Sequence, residues 1–144
     1  MTQVDFYILG SDSDEARLRL ACKIVDKATQ LDHHVFVHST SEEEARKLDE
    51  LLWTFSQGSF IPHRVLREEP SEPPLESVLI GFSAMPVPGR WDVLVNLAPD
   101  VPEFFSRYER VAEVVDGNAE RREKSRERYR YYRDRGYKLN THQV

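Results

Sequence analysis

Short β-rich runs alternate with helical patterns along this chain, and this alternation restricts its fold more than any other feature. Runs rich in branched and aromatic residues occur at residues 4–9, 33–38, 77–82, 91–97 and 110–115. Helical spacing or helix-forming composition occurs at residues 13–31, 41–53, 102–108 and 119–135. Strands that alternate with helices are typical of an α/β domain with a mainly parallel sheet. The length of 144 residues is enough for a single core, so we expect one domain over residues 1–144.

Capping residues indicate where the helices begin and end. Asp12 precedes Glu15 by three residues, and this is the spacing of a capping box. Ser41 and Glu44 have the same spacing before the second helix. Gly136 follows the last helical pattern and is expected to end that helix, because glycine adopts the left-handed conformation found at helix C-termini.

A nucleotide-binding enzyme is the first function that such a sheet suggests, and the first strand–helix turn argues against it. The segment LGSDSDEA at residues 9–16 contains neither of the two glycine motifs that cradle phosphates. Its acids Asp12, Asp14 and Glu15 would repel a phosphate at the helix N-terminus. We therefore expect no catalytic residues and no cofactor. The alternative, an α/β enzyme with an unrecognised site, predicts a deep pocket at the carboxyl ends of the strands.

The cysteine and histidine positions favour neither a nucleophile nor a metal site. Cys22 is the one cysteine and lies on the apolar face of a predicted helix, as a buried core thiol would. His34 and His38 share one strand face, but no nearby carboxylate or thiol completes a metal-binding set. The N-terminus lacks a signal-peptide pattern, and no segment approaches the roughly 18 consecutive apolar residues of a membrane span. These features predict a cytoplasmic protein without membrane contact.

Charge is distributed very unevenly along the chain. The net charge is −5, yet residues 120–138 carry nine arginines or lysines against four acids, a net charge of +5. Residues 1–119 therefore carry −10. A basic terminal element on an acidic body is expected to attract an anionic partner to one end of the molecule.

The basic C-terminal helix, residues 119–136, has no Leu, Ile, Val, Phe or Met after position 120. Without an apolar stripe, it is expected to lie largely on the surface or to receive a partner. At about 100° per residue, one narrow stripe of the helix contains Arg122, Arg126, Tyr129 and Arg133. Arg130 lies beside this stripe. Arginine forks bind carboxylates and a tyrosine ring offers an apolar floor, so an acidic peptide with a hydrophobic carboxyl-terminal residue would match this stripe.

Two other interpretations of this helix stay open. A solvated helix could be held by internal pairs such as Glu120–Lys124 and Arg130–Asp134, each contributing a few tenths of a kcal/mol. Alternatively, the arginines could contact phosphates and the tyrosines could stack on bases in direct binding of single-stranded nucleic acid. The acidic body weakens that second alternative.

An aromatic segment precedes the third apolar run. Five large apolar residues lie within ten residues around a predicted turn at Gly58, and residues 54–63 are expected to be irregular. They are Trp53, Phe55, Phe60, Ile61 and Pro62. Such a loop commonly folds back on the core, but exposed aromatics beside a proline also suit a protein–protein hot spot.

Several motifs together resemble one known family. They are DFYIL at 5–9, EARKLDELLWTFSQGSFIPH at 44–63, DVLVNL at 92–97 and RERYRYYRDRGYKLNTH at 126–142. The combination resembles the chi subunit of bacterial DNA polymerase III. The loop 66–90 shows little resemblance, and residues 67–90 are expected to include exposed variable loops.

The resemblance implies a fold and a function. The fold is a single α/β domain with a Rossmann-like, mainly parallel sheet flanked by helices and without a nucleotide-binding motif. The function is that of a non-catalytic accessory subunit of the clamp loader in DNA replication. Family members join the clamp loader through the psi subunit and bind the acidic C-terminal tail of single-stranded DNA-binding protein (SSB). Contact with DNA is then mostly indirect, through SSB.

The resemblance also assigns residues to the two contacts. The positions that match the SSB-tail site are Val115, Arg122, Arg126, Tyr129, Arg130 and Arg133. The positions that match the psi surface are Trp53, Phe60, Ile61 and Pro62. In some family members that second surface engages a repair helicase instead. Arg130 stands where the family also uses lysine, which preserves the charge.

Overall fold

The computed structural model describes residues 1–55, 60–82 and 86–144. The strands are β1 Gln3–Ile8, β2 Val35–His38, β3 His63–Leu66, β4 Val78–Gly81, β5 Val93–Asn96, β6 Arg110–Val115 and β7 Lys138–Gln143. The α-helices are α1 Asp14–Gln30, α2 Glu42–Thr54 and α3 Ala119–Asp134. The predicted turn at Gly58 lies outside the described residues.

The strands form one sheet in which every neighbouring pair is parallel. Within the described part of the chain its order is β3-β4-β2-β5-β6-β1-β7. The predicted α/β class with a mainly parallel sheet is therefore confirmed. β1 lies between β6 and β7, so that Val4 is in register with both Val111 and Leu139. This pairing brings the C-terminal strand beside the N-terminal one.

Alternate residues of each strand point to two separate cores, as the pleat of a sheet requires. Val35 and Val37 of β2 face α1 and α2, whereas Phe36 faces the opposite side. The first core contains Leu18 from α1 and Leu48 from α2. The second core is more aromatic and contains Phe6, Phe104, Phe105, Tyr108 and Tyr132. Because α3 supplies Tyr132, it lies on the face opposite α1 and α2.

Three local predictions differ from the structure. β3 and β7 both fall on residues for which no strand was predicted, because neither HRVL nor KLNTHQ contains a continuous apolar run. β7 is an edge strand whose residues are half-buried or exposed, so its pairing with β1 rather than its hydrophobicity makes it a strand. The short helix expected at residues 102–108 is a single 3₁₀ turn, Phe105–Arg107.

The helix limits follow the predicted chemistry with one shift. α1 is capped by Ser13, whose side chain accepts from the Ala16 backbone NH at 3.3 Å, and not by Asp12. α2 is capped by Ser41 as predicted, with 3.1 Å between its hydroxyl and the Glu44 NH. Gly136 follows α3 with φ +79°, in the left-handed region that ends helices.

The other global expectations concern the core thiol and the membrane. Cys22 is fully buried, and burial raises its pKa to about 12, as expected for a core thiol rather than a nucleophile. Along the described ranges, the helices are all too short or too polar to cross a lipid bilayer.

Candidate functional site

The basic helix α3 is attached to the sheet by a buried polar cluster instead of an apolar stripe. Its inner face consists of Ser125, Arg128 and Tyr132, all buried. Arg128 donates from Nε to Glu113 Oε1 at 2.9 Å and from Nη1 to the Pro99 carbonyl at 2.8 Å. Glu113, on β6, is completely buried. An ion pair buried to this degree must be fully hydrogen-bonded to be tolerated.

The remaining acceptor positions of Glu113 are also occupied. The Tyr132 hydroxyl donates to Glu113 Oε2 at 2.7 Å, and Asn96 Nδ2 lies 3.0 Å and 3.1 Å from the two oxygens. Burial, and then the Glu113 charge, raises the pKa of Tyr132 well above its usual range, so the hydroxyl keeps its proton and donates. The Glu113 carboxylate on β6 thus binds α3 at two positions, Arg128 and Tyr132, and holds the helix in one orientation on the sheet.

The N-terminus of α3 is held by a second set of contacts. Asn118 Oδ1 accepts from the Arg121 backbone NH at 3.0 Å and caps the helix. Arg121 Nε donates to the buried carboxylate of Asp116 at 3.0 Å. Burial alone would raise the pKa of Asp116, but the hydrogen bonds and charge of Arg121 outweigh it and lower that pKa. The Gly117 NH donates to the Ser11 carbonyl at 2.7 Å, which joins this turn to the β1–α1 loop.

Gly117→Ala is expected to lower the free energy of unfolding by about 1–3 kcal/mol, the usual cost of overpacking. A Cβ at position 117 would lie 2.6 Å from the Gly10 carbonyl oxygen, so one of the two loops must move. Gly10→Ala is the matched control, since a Cβ there meets nothing within 4 Å. Denaturant unfolding of both variants measures the difference. A Gly117→Ala protein as stable as the Gly10→Ala protein contradicts the close approach of the two loops.

The outer face of α3 presents the predicted basic stripe. Arg126 is exposed and pairs with Glu123 at 2.9 Å, and Arg133 is exposed and lies 3.2 Å from Asp134. Arg130 is exposed and has no carboxylate within 4.0 Å among the described residues. These pairs are solvent-exposed, so each contributes little and a competing carboxylate can displace it.

Tyr129 and Arg122 are the other two members of the stripe. The Tyr129 ring is 37% exposed and packs edge-on against Phe6 of β1, with 5.2 Å between ring centroids. It therefore forms a firm apolar floor between the arginines. Arg122 is half-buried and its Nε donates to the Asp116 carbonyl at 3.0 Å, which leaves the rest of the guanidinium for a ligand.

Val115 is the exception among the positions assigned to the tail site. Its side chain is buried in the aromatic core, at 5% exposure, and offers almost no surface to a ligand. α3 lies largely on the surface, as expected, but three of its sixteen residues form a buried inward face that the lack of an apolar stripe did not indicate. The spacing of Ser125, Arg128 and Tyr132 at i, i+3 and i+7 is the signal that marks an inward face.

The aromatic segment forms a second exposed surface. Trp53 is 57% exposed and Phe60 is 65% exposed, with 5.2 Å between their ring centroids. Pro62 is exposed beside them, whereas Ile61 is 4% exposed and belongs to the core. We call Trp53, Phe60 and Pro62 the aromatic patch.

A histidine underneath holds the aromatic patch in place. The ring of His63 lies 4.8 Å from that of Trp53. His63 Nδ1 is 2.6 Å from the Ile61 carbonyl, and Nε2 is 3.1 Å from Asp49 Oδ1 on α2. His63 thus lies between the backbone turn at Ile61 and α2, and Ile61 faces inward while its two neighbours face solvent.

The carboxyl ends of the strands, where an enzyme of this class would bind its substrate, carry structural ion pairs. Arg17 is buried there and donates to Glu44 Oε2 at 2.8 Å and to the Leu97 carbonyl at 2.8 Å. The ranges that the structure describes hold no group of three or more metal-ligating side chains. These charges connect α1, α2 and β5.

Fold and surfaces define the class of this protein as a single α/β domain that presents a cationic helix on one side and an aromatic patch on another. A family model described as "DNA polymerase III chi subunit, HolC" matches residues 1–140. The chain is 38% identical over 144 residues to the DNA polymerase III subunit chi of Pseudomonas aeruginosa, covering 100% of this chain and 98% of that protein. It is 30% identical over 146 residues to the subunit of the same name from Escherichia coli, covering 98% and 97%.

A third chi subunit, from Haemophilus influenzae, is 28% identical over 140 residues, covering 96% of this chain and 95% of that protein. The chain therefore belongs to the DNA polymerase III chi subunit family. Members of this family are accessory subunits in replication, which implies a partner within the polymerase III holoenzyme.

Proposed function

We propose that this chain is a non-catalytic adaptor of the clamp loader that bridges the psi subunit and the acidic C-terminal tail of SSB during DNA replication. The observation that carries the proposal is the outer face of α3, where exposed Arg126, Arg130 and Arg133 surround the half-exposed ring of Tyr129. The aromatic patch serves psi. Because the two surfaces are separate, both partners bind at once and the polymerase is tethered to SSB-coated template.

The chemistry of α3 suits a peptide that ends in a hydrophobic residue and carries carboxylates. The arginine forks bind the carboxylates, and the apolar end rests on the ring of Tyr129, which Phe6 supports from below. The polar cluster around Glu113 holds the helix rigid, which reduces the ordering cost of binding. Since the arginines are exposed, the interaction is salt-sensitive.

Titration of a fluorescent SSB-tail peptide into the protein, at low and moderate salt, tests the tail site. Arg126→Ala is expected to weaken binding at least about tenfold, because a charged hydrogen bond contributes about 1.5–3 kcal/mol. Lys124→Ala is the matched control: it removes the same charge from the opposite side of α3, where Lys124 pairs with Glu127 at 3.6 Å. A peptide lacking its last two residues is expected not to bind. Equal affinity for the Arg126→Ala and unaltered proteins removes the assigned site.

The same helix favours one second candidate, direct binding of single-stranded nucleic acid, because an exposed tyrosine beside arginines can stack on a base. Naked single strands would then bind without SSB, with an affinity that falls steeply as salt rises. Binding of naked DNA together with failure to bind the tail peptide selects this alternative. A repair helicase in place of psi would use the aromatic patch.

A further inference from the structure

A large groove lies on the face of the sheet opposite α3. It has a volume of ≈ 870 Å³ and runs along α1, with β1 and the C-terminal residue Val144 on its other side. Its apolar lining includes Tyr7, Leu9, Leu20, Ile24, Leu31 and Val144. The backbone NH of Val144 donates to the Ile8 carbonyl at 3.0 Å, so the far wall is fixed to β1. The groove contains none of the residues assigned to the tail site or the aromatic patch.

The groove is about as wide as one α-helix. α1 packs on β2, β5 and β6, and the floor of the groove beside it is formed mainly by β6 and β1, which contribute Ala112 and Tyr7. Neighbouring strands lie about 4.8 Å apart, so two strands present a surface about 10 Å wide. An α-helix with its side chains is about 10 Å across. A helix placed there would continue the layer that α1 and α2 begin.

The rim of the groove is basic, although the body of the protein is acidic. Arg19, Lys23 and Lys27 follow one another at i, i+4 and i+8 along α1, and Arg110 lies at the start of β6. All are exposed. The row on α1 is about 12 Å long, at 1.5 Å per residue. Along the ranges described, Lys23 and Lys27 have no carboxylate within 4.0 Å, while Arg19 pairs with exposed Glu15 at 3.3 Å.

One acid lies in the floor of the groove, beside a histidine and an arginine. Asp5 is buried, with Oδ1 3.1 Å from His142 Nε2 and Oδ2 3.7 Å from Arg110 Nη1. The His142 ring in turn stacks on Tyr7 with 4.8 Å between centroids. The floor is therefore largely apolar, and the rim charges without a carboxylate within 4.0 Å among the described residues are those of Lys23 and Lys27.

We propose that this groove docks an acidic amphipathic helix of a partner protein. Its apolar stripe packs on Tyr7, Leu9 and Ile24, and its carboxylates at i, i+4 and i+7 or i+8 face Arg19, Lys23 and Lys27. Such pairing matches both the spacing and the sign of the rim. The site lies across the sheet from the basic helix α3, so the protein carries two cationic docking surfaces on opposite faces.

The test uses the full chain and a fluorescent synthetic helix of about 14 residues, with leucines along one face and glutamates flanking them. Saturable binding is expected, and Lys23→Glu with Lys27→Glu is expected to weaken it at least about tenfold, because like charges then oppose each other. The double variant Arg46→Glu with Lys47→Glu is the matched control. It makes the same change of charge on exposed positions of α2, outside the groove.

Two further variants distinguish binding in this groove from binding to the basic helix α3. Leu31→Asp places a charge on a 62% exposed residue of the lining and is expected to weaken binding without affecting the fold. Arg126→Ala is expected to bind the helix like the unaltered protein. Loss of binding in Arg126→Ala with retention in the Lys23/Lys27 variant assigns the helix to α3 and overturns the proposal.

Analytical sedimentation of the protein alone tests whether a second copy of the chain occupies the groove. A monomer is expected, because both copies would bring basic rims together. A dimer that dissociates in the Lys23→Glu, Lys27→Glu variant overturns the proposal in favour of self-association. Equal helix affinity for that variant and its α2 control overturns it as well.

Discussion

Glu113→Ala is expected to destabilise the protein by about 3–5 kcal/mol, the cost of leaving a buried charge without its partner. The variant would leave Arg128 buried opposite no carboxylate, and it would also deprive the Tyr132 hydroxyl and the Asn96 amide of their acceptor. At about 2–4 °C per kcal/mol for a chain of this size, the Tm should fall by roughly 6–20 °C. Differential scanning calorimetry and denaturant unfolding measure both quantities.

Glu103→Ala is the control for that loss, since Glu103 is exposed and should change stability by no more than about 0.5 kcal/mol. Combining Glu113→Ala with Arg128→Met removes both charges and is expected to recover part of the lost stability, because no unpaired ion is then buried. A double variant no more stable than Glu113→Ala alone would show that the unpaired charge of Arg128 is not the main cause of the lost stability. Tail affinity should fall together with stability in Glu113→Ala, because the cluster positions α3.

Trp53→Ala is expected to weaken binding to purified psi at least about thirtyfold, as truncation of a hot-spot aromatic costs about 2 kcal/mol or more. This expectation depends on the proposed role of the aromatic patch. Trp53 is 57% exposed and contacts Phe60, so its removal should leave the fold intact. Isothermal titration of psi into each variant measures the effect.

Two other positions make that experiment decisive. Leu75→Ala removes a large apolar side chain that is 98% exposed in the loop after β3, and it is expected to bind psi normally. Ile61→Ala is expected to act on stability instead, by about 2–5 kcal/mol, since Ile61 is 4% exposed in the core. Normal psi binding by Trp53→Ala means that the patch serves another contact.

Sequence reasoning located the outer face of α3 but not its inner face. The spacing of Arg126, Tyr129 and Arg133 follows directly from helical geometry, so the exposed stripe could be predicted. The buried position of Arg128 could not, because its partner Glu113 is fifteen residues away on a strand. Only the packing of α3 on β6 brings the two together.

For the aromatic segment too, the sequence indicated the segment but not the orientation of each side chain. Its composition indicated either a core loop or a binding surface, and the structure divides it between the two. Trp53 and Phe60 are exposed, while Ile61 is buried. Ile61 faces the core and His63 lies 3.1 Å from Asp49 on α2, an arrangement that depends on packing between elements and that composition alone does not encode.

The amino-acid sequence by itself determined the α/β class, the five apolar strands, the three α-helices and the cationic stripe on α3, because each depends on residues close together in the chain. Tertiary structure alone decided that KLNTHQ is a strand, that Arg128 is buried and that a groove lies beside α1. The physical reason is the same for the strand and the arginine: a polar segment takes its structure from distant partners. β7 has β1 to pair with, and Arg128 has Glu113 to neutralise it.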